Sequence, residues 1–235
     1  MRVAFFGGTF DPIHRGHLRL ACAAADAFAL DRVLFAPVGN QPLKPEAAIA
    51  SYSDRLAMAR LALDYGTHIQ PAMEDQQPAT GYFPDLRFAV SALDAPRPDG
   101  TANYTVDTLA SLAHELPSAS LFVLTGADSF LDLRRWRSPD RLLAVAEWIV
   151  VSRPEFPLSE AQLAPLALTQ AQRARVHLLT TVHEDVSATE LRRRLQAGDP
   201  CPGLLPPAVV AYIHTHGLYR QTCRCSRLKR YGEPL

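Results

Sequence analysis

Long apolar runs, cysteine and lysine are all scarce in this chain of 235 residues, and each shortage narrows what the chain can be. No apolar run reaches the roughly 18 residues that a bilayer-crossing helix needs, and no charged n-region followed by an apolar h-region is present. Four cysteines, Cys22, Cys201, Cys223 and Cys225, are too few and too unevenly placed for a disulfide framework, and a buried thiol is expected at Cys22. A soluble, cytoplasmic protein is therefore expected. Excess charge is missing too: 24 basic residues balance 24 acidic ones, so nothing draws the whole molecule towards nucleic acid or an anionic membrane. Any anion must be held by local arrangement, which favours a small ligand. Lysine is confined to Lys44 and Lys229, the other basic residues being arginine, so a lysine in the body of the chain stands out. Internal repeats and long low-complexity tracts are lacking as well.

What is present begins at the N-terminus. The apolar run Val3-Ala4-Phe5-Phe6 leads into Gly7-Gly8-Thr9-Phe10-Asp11-Pro12-Ile13-His14-Arg15-Gly16-His17-Leu18 and then into a Leu/Ala-rich helical stretch. A glycine pair between a buried strand and a helix lets the backbone turn tightly and approach a ligand, and a helix start offers unpaired N–H groups and a positive dipole end. His14 and His17 are three residues apart, so both imidazoles can face one anion, with room at Gly16. Glycines after a first strand often serve the turn alone, and the order here is neither G-x-G-x-x-G nor a Walker A loop. Zinc is the other use of paired histidines, but the Glu of H-E-x-x-H is missing and no third ligand stands nearby, so no metal site is assigned. Strand, turn, H-x-G-H and helix together make a phosphate seat the better reading.

Further along, short apolar runs alternate with helical patterns. Strands are expected near 2–6, 32–36, 87–93, 120–125, 147–152 and 176–180. Helices are expected near 16–29, 53–65, 105–115, 139–146, 159–170, 188–197 and 207–215. This alternation implies an α/β fold with a doubly wound parallel sheet, in which ligands bind beyond the carboxyl ends of the strands where strand order reverses. With 48% hydrophobic residues the chain can bury one full core, so a single domain over 1–220 is expected. Residues 66–86, bearing Pro, Gln and Gly, read as a surface insertion, and 221–235 as a disordered tail. Cys223-x-Cys225 with His214 and His216 upstream matches no standard zinc-finger spacing.

The opening string resembles the signature of the H-x-G-H nucleotidyltransferases, and Gly-Gly-Thr-Phe-Asp-Pro-Ile-His resembles their bacterial nicotinate-nucleotide adenylyltransferase branch. Further pieces fall in that family's order: Lys44, the stretch Asn103 to Leu109, Gly126-Ala127-Asp128, Trp136, Val186 to Arg192, and Gly217-Leu218-Tyr219. The resemblance implies a Rossmann-like nucleotidyltransferase fold that joins ATP to nicotinate mononucleotide and releases pyrophosphate. It implies catalytic roles for His14, His17, Lys44 and Arg192, and ATP contacts from Gly7, Gly8, Thr9, Phe10, Gly16, Asp128, Ser187 and Thr189. Nicotinate mononucleotide would meet Tyr104, Thr105, Trp136 and Arg137, with the backbone N–H groups near Thr105 and Arg137 holding its carboxylate. Mg²⁺ would be bound mainly through the ATP phosphates. Nucleic acid and membrane are not expected partners, and homo-oligomerisation is left open.

The residues carry bottom-up readings beside the resemblance. Ser187 with Glu190 three positions on reads as a capping box at a helix start, and such a start is also an anion seat. The family's second Ser is Ala188 here, and the His that often precedes its lysine is Leu43. Lys44 follows the second strand, where a flexible ammonium can reach β and γ phosphates. Asp128, beyond a strand's carboxyl end, can cap a helix or bind ribose hydroxyls. Trp136, among three arginines, is poorly placed for an ordinary core residue, and tryptophan is the best aromatic platform for a pyridinium cation. Three rival readings are weaker. Phosphopantetheine adenylyltransferase shares H-x-G-H but is shorter. A non-catalytic nucleotide sensor has no need of His14, His17, Lys44 and Arg192 together. An RNA-binding synthetase would carry a basic, aromatic-rich appendage.

Overall fold

The computed structural model describes residues 1–43, 48–64, 87–152, 158–180 and 186–220. Lys44, the segment 66–86 and the tail 221–235 with Cys223 and Cys225 lie outside the described residues.

Six strands, β1 (Arg2–Gly8), β2 (Arg32–Pro37), β3 (Phe88–Val90), β4 (Ser120–Gly126), β5 (Glu147–Val151) and β6 (Val176–Leu179), form one parallel sheet in the order β3-β2-β1-β4-β5-β6. The helices are α1 (Arg15–Ala27), α2 (Tyr52–Asp64), α3 (Thr105–Glu115), α4 (Ala127–Leu131), α5 (Pro139–Val145), α6 (Glu160–Leu163), α7 (Gln170–Arg173), α8 (Ala188–Gln196) and α9 (Pro207–Thr215). Strand order reverses between β1 and β4, which pair from Arg2 with Ser120 to Phe5 with Val123. The doubly wound parallel sheet expected from the alternation is therefore the fold observed.

Both faces of the sheet are buried, as a parallel sheet flanked by helices requires. Successive side chains of β1 go to opposite faces: Ala4 and Phe6 join one core cluster, Val3 and Phe5 the other. The first cluster is closed by Ala21, Ala24 and Ala25 of α1, Met58, Ala59 and Ala62 of α2, and Val209 and Ile213 of α9. The second is closed by Val106, Leu109 and Leu112 of α3 and by Leu142 and Leu143 of α5 around the fully buried Trp148.

Three expectations need correction. The helix expected over 159–170 is two short ones, α6 and α7, separated by a 3-10 turn at Ala164–Leu166. Pro165 lacks an N–H, Ala167 takes a left-handed φ of 45°, and Thr169 restarts the chain with its own capping box to Gln172. Arg134 donates to the carbonyls of Leu166 and Ala167 and so caps the break. Second, α4 was not anticipated, because five residues are too few to show a helical period. Third, Cys22 is half-buried on α1 rather than buried.

Candidate active site

β1 ends in Gly7 and Gly8 at the switch point, and the chain then turns through Phe10, whose φ of 49° is left-handed, and a cis Asp11–Pro12 bond into α1. Phe10 is 2% exposed and packs edge-on against Phe6, with ring centroids 5.3 Å apart, and against His17 at 4.9 Å. Its side chain thus belongs to the core, and only its backbone is left for a ligand. Asp11 lies beneath this turn: its carboxylate accepts from the backbone N–H groups of Ile49 (2.8 Å) and Ala50 (3.2 Å) and from the hydroxyl of Tyr219 (2.6 Å).

The two histidines meet face to face, with ring centroids 3.7 Å apart and 28° between planes. The backbone N–H of His14 donates to Nδ1 of His17 at 3.2 Å, so neutral His17 carries its proton on Nε2 and is a donor there. Burial lowers the pKa of His14 to about 4 and, together with the neighbouring His14, holds that of His17 well below the ordinary imidazole value. Nδ1 of His14 is buried with no hydrogen-bond partner among the described residues. The helix start itself is less open than the sequence suggested. The N–H of Arg15 donates to Leu204 O and that of His17 to His14 O, leaving the N–H of the buried Gly16 without a partner among the described residues.

Arg192, one turn into α8, reaches the same loop and donates to the carbonyl of Asp11 at 2.8 Å and to Thr189 Oγ1 at 3.2 Å. The expected capping box at Ser187 is not formed. Ser187 occupies the cap position without a side-chain cap bond, because Glu190 is drawn forward into a two-pronged pair with Arg193 at 2.7 and 2.5 Å.

Beside the loop lies a cavity of about 240 Å³ between the carboxyl ends of β1 and β4. Its walls bring Gly7, Gly8 and Thr9 together with Tyr104 and Thr105 at the start of α3 and with Trp136 and Arg137. Trp136 is half-buried, with one edge on Trp148 at 5.8 Å, so it is both a core residue and a wall of the cavity. The Arg137 guanidinium sits over the Tyr104 ring, 4.6 Å from its centroid. His14, His17, Gly16, Ser187, Thr189 and Arg192 are outside these walls, and so is Asp128, which is exposed in the first turn of α4.

Several residues that build the site were not singled out from the sequence. Arg55 of α2 is 3% exposed and donates to three loop carbonyls: Thr9 (2.7 Å), Val38 (2.9 Å) and Ala50 (3.3 Å). A signal for it exists, since Arg55, Met58, Ala59 and Ala62 share the buried face of α2, and a charge in an apolar stripe is unusual. Asn103 accepts from Asn40 N–H at 2.9 Å and donates to Ala95 O at 2.8 Å, which seats Tyr104 and Thr105. Asp94, buried in the cavity wall, accepts from Thr108 Oγ1 of α3, and burial raises its pKa. Gly39 packs so closely that a Cβ would lie 2.5 Å from Pro96 N.

Comparison with known proteins gives this geometry its context. Residues 5–194 match the cytidylyltransferase-like family. The chain is 40% identical over 218 residues to a probable nicotinate-nucleotide adenylyltransferase of Roseiflexus sp., covering 93% of this chain and 98% of the relative. It is 37% identical over 220 residues to that of Thermus thermophilus, covering 94% and 100%. Among solved structures, Plasmodium falciparum nicotinic acid mononucleotide adenylyltransferase complexed with NaAD superposes with a TM-score of 0.70 at 16% identity, covering 93% of this chain and 97% of that one. The same enzyme complexed with APC gives 0.68 at 15% identity, covering 93% and 96%. The structural likeness speaks to the fold, while the sequence identity over nearly the whole length speaks to the family: this chain belongs to the nicotinate-nucleotide adenylyltransferases, within the cytidylyltransferase-like group.

Proposed function

We propose that the protein transfers the adenylyl group of ATP to nicotinate mononucleotide, forming nicotinate adenine dinucleotide and pyrophosphate. The observation that carries this reading is the cavity at the β1/β4 switch point, where an aromatic and cationic wall of Tyr104, Trp136 and Arg137 adjoins the glycine turn that leads to the stacked histidines. The mononucleotide's phosphate oxygen attacks the α-phosphorus of ATP in line; one P–O bond forms while the bond to the β-phosphate oxygen breaks. No covalent enzyme intermediate is required, since a phosphate dianion is already a nucleophile, and the protein's task is to position both substrates and neutralise developing charge.

In this reading His14 and His17 donate to the α-phosphoryl oxygens. Buried and neutral in the free protein, they gain in proton affinity when a polyphosphate arrives, since a nearby anion favours the charged imidazole. Arg192, fixed on the Asp11 carbonyl, and Lys44 face the departing pyrophosphate, with Ser187 and Thr189 at the start of α8. Gly7, Gly8, Thr9, the backbone of Phe10 and Gly16 line the phosphate path, and Asp128 serves the ribose side. Trp136 offers its free face to the pyridinium ring, and backbone N–H groups near Thr105 and Arg137 meet the carboxylate. Mg²⁺ enters as part of the ATP substrate: imidazoles, guanidinium groups and backbone N–H groups are donors suited to anions, and no group of three His, Cys, Asp or Glu converges among the described residues.

The test is to supply ATP and Mg²⁺ with nicotinate mononucleotide, nicotinamide mononucleotide or phosphopantetheine in separate reactions, and to measure pyrophosphate and identify the product. Nicotinate mononucleotide should give the highest kcat/KM, since donors gain more from a carboxylate than from an amide oxygen. Preference for phosphopantetheine, or no turnover with any acceptor, would defeat the proposal.

A further inference from the structure

The role of Arg55 goes beyond packing. It is a charged side chain sealed beneath the turn after β1, and its three hydrogen bonds among the described residues end on backbone carbonyls, those of Thr9, Val38 and Ala50. These carbonyls come from the turn after β1, the exit of β2 and the segment leading into α2. Asp11 grips that last segment from its other side through Ile49 and Ala50 N–H. Such a group fixes not only where the chain runs but which way its peptides face.

In a planar trans peptide the C=O and the following N–H point in opposite directions. With the Thr9 carbonyl held by Arg55, the N–H of Phe10 must point the opposite way, away from the guanidinium; Thr9 itself lines the cavity, whereas Phe10 is not among its walls. That N–H has no hydrogen-bond partner among the described residues. Phe10 also pays for a left-handed φ of 49°, which a residue with a Cβ adopts only where its surroundings enforce it. We infer that Arg55 is a positioning residue for adenylyl transfer, holding the Thr9–Phe10 peptide in the orientation that presents the Phe10 N–H to a substrate phosphate. The inference rests on the function proposed above.

The Thr9-Phe10 pair is the sole Thr-Phe sequence in the chain, so labelling threonine carbonyls with ¹³C and phenylalanine amides with ¹⁵N isolates this one peptide. The full-length protein is titrated with an ATP analogue bearing a methylene bridge between the α and β phosphorus atoms. The Phe10 amide resonance of the wild type should move on binding. In Arg55→Lys, which keeps the charge but cannot span three carbonyls, that resonance should already be displaced without ligand, and kcat/KM for ATP should fall at least about tenfold at temperatures where the variant is folded. A purely structural role would lower the melting temperature and leave both readouts at wild-type values, overturning the inference. Should Arg55→Lys fail to fold, the wild-type titration decides: a Phe10 amide that stays put while other amides move overturns it. Wild-type turnover with a stationary Phe10 amide sinks this inference alone. No turnover with any acceptor and no response to the analogue sinks the proposed function as well.

Discussion

At His17 the two ring nitrogens differ: Nδ1 accepts from the backbone N–H of His14, so the proton of the neutral ring sits on Nε2, the nitrogen that the proposed function assigns to substrate. Replacing His17 with alanine removes one donor from the transition state, and kcat should drop by roughly 10²–10³ with the fold intact. Steady-state kinetics on the folded variant checks this, and near wild-type kcat would remove the assignment. His14 makes a second prediction, about stability. Its pKa is about 4 in the folded protein against an ordinary 6.5, so between these values the unfolded chain binds more protons. Stability from this site is therefore complete above pH 6.5 and is lost as pH falls towards 4. At about 1.4 kcal/mol per tenfold change in proton affinity, up to about 3 kcal/mol is at stake. Urea unfolding at pH 7 and pH 5 should show a smaller acid loss for His14→Asn than for the wild type; equal losses would mean that His14 is not held neutral by burial.

Among elements, the acceptor side depends on how the exit of β2 is sewn to the loop before α3. Gly39 N–H donates to Asp94 O at 2.7 Å, and Asn40 and Asn103 exchange two further bonds, at 2.9 Å each. The two atoms nearest a Cβ at Gly39 are backbone, Pro96 N and Cα, and the third is Asn103 Oδ1, so a rotamer change at Asn103 alone cannot relieve the clash. Gly39→Ala should cost about 1–3 kcal/mol and should raise the KM for the mononucleotide, because Tyr104 and Thr105 follow directly on Asn103. Denaturant midpoints and acceptor titration test the two parts. An unchanged midpoint would show that the loop before α3 yields without strain.

Across the whole molecule, the turn after β1 is tied to residues far along the chain, Arg192 and Tyr219. Tyr219 donates to Asp11 across 208 positions, and Arg192 holds the same residue's carbonyl across 181. Burial and the hydrogen bond to Asp11 push the Tyr219 hydroxyl far above the ordinary tyrosine range, so it remains a donor at every working pH. Tyr219→Phe leaves the buried Asp11 carboxylate one partner short, a loss of about 1–3 kcal/mol. Thermal unfolding should show it, together with lower kcat/KM for ATP; a wild-type melting temperature would mean that the two backbone N–H groups suffice for Asp11.

The amino-acid order by itself determined the alternating elements, the parallel sheet and the glycine turn with its histidine pair, because each is written in neighbouring residues: apolar runs of strand length, helical periods, and a turn between them. Every strand appeared where expected, although β3 is cut to Phe88–Val90 by the turn at 92–95. Tertiary structure decided what no local pattern encodes. On α8 the folded chain chose between two local patterns, the Ser187 cap and the Glu190–Arg193 pair, and formed the pair. Trp136 gained a second contact from Trp148, twelve positions away on β5, beyond α5. Arg55 acquired its carbonyls from residues 9, 38 and 50, which come together only when the sheet closes. The physical reason is clearest at Arg55: spacing along the chain specifies which groups face the core, while the partner that satisfies a buried polar group is chosen by the packing of elements distant in sequence.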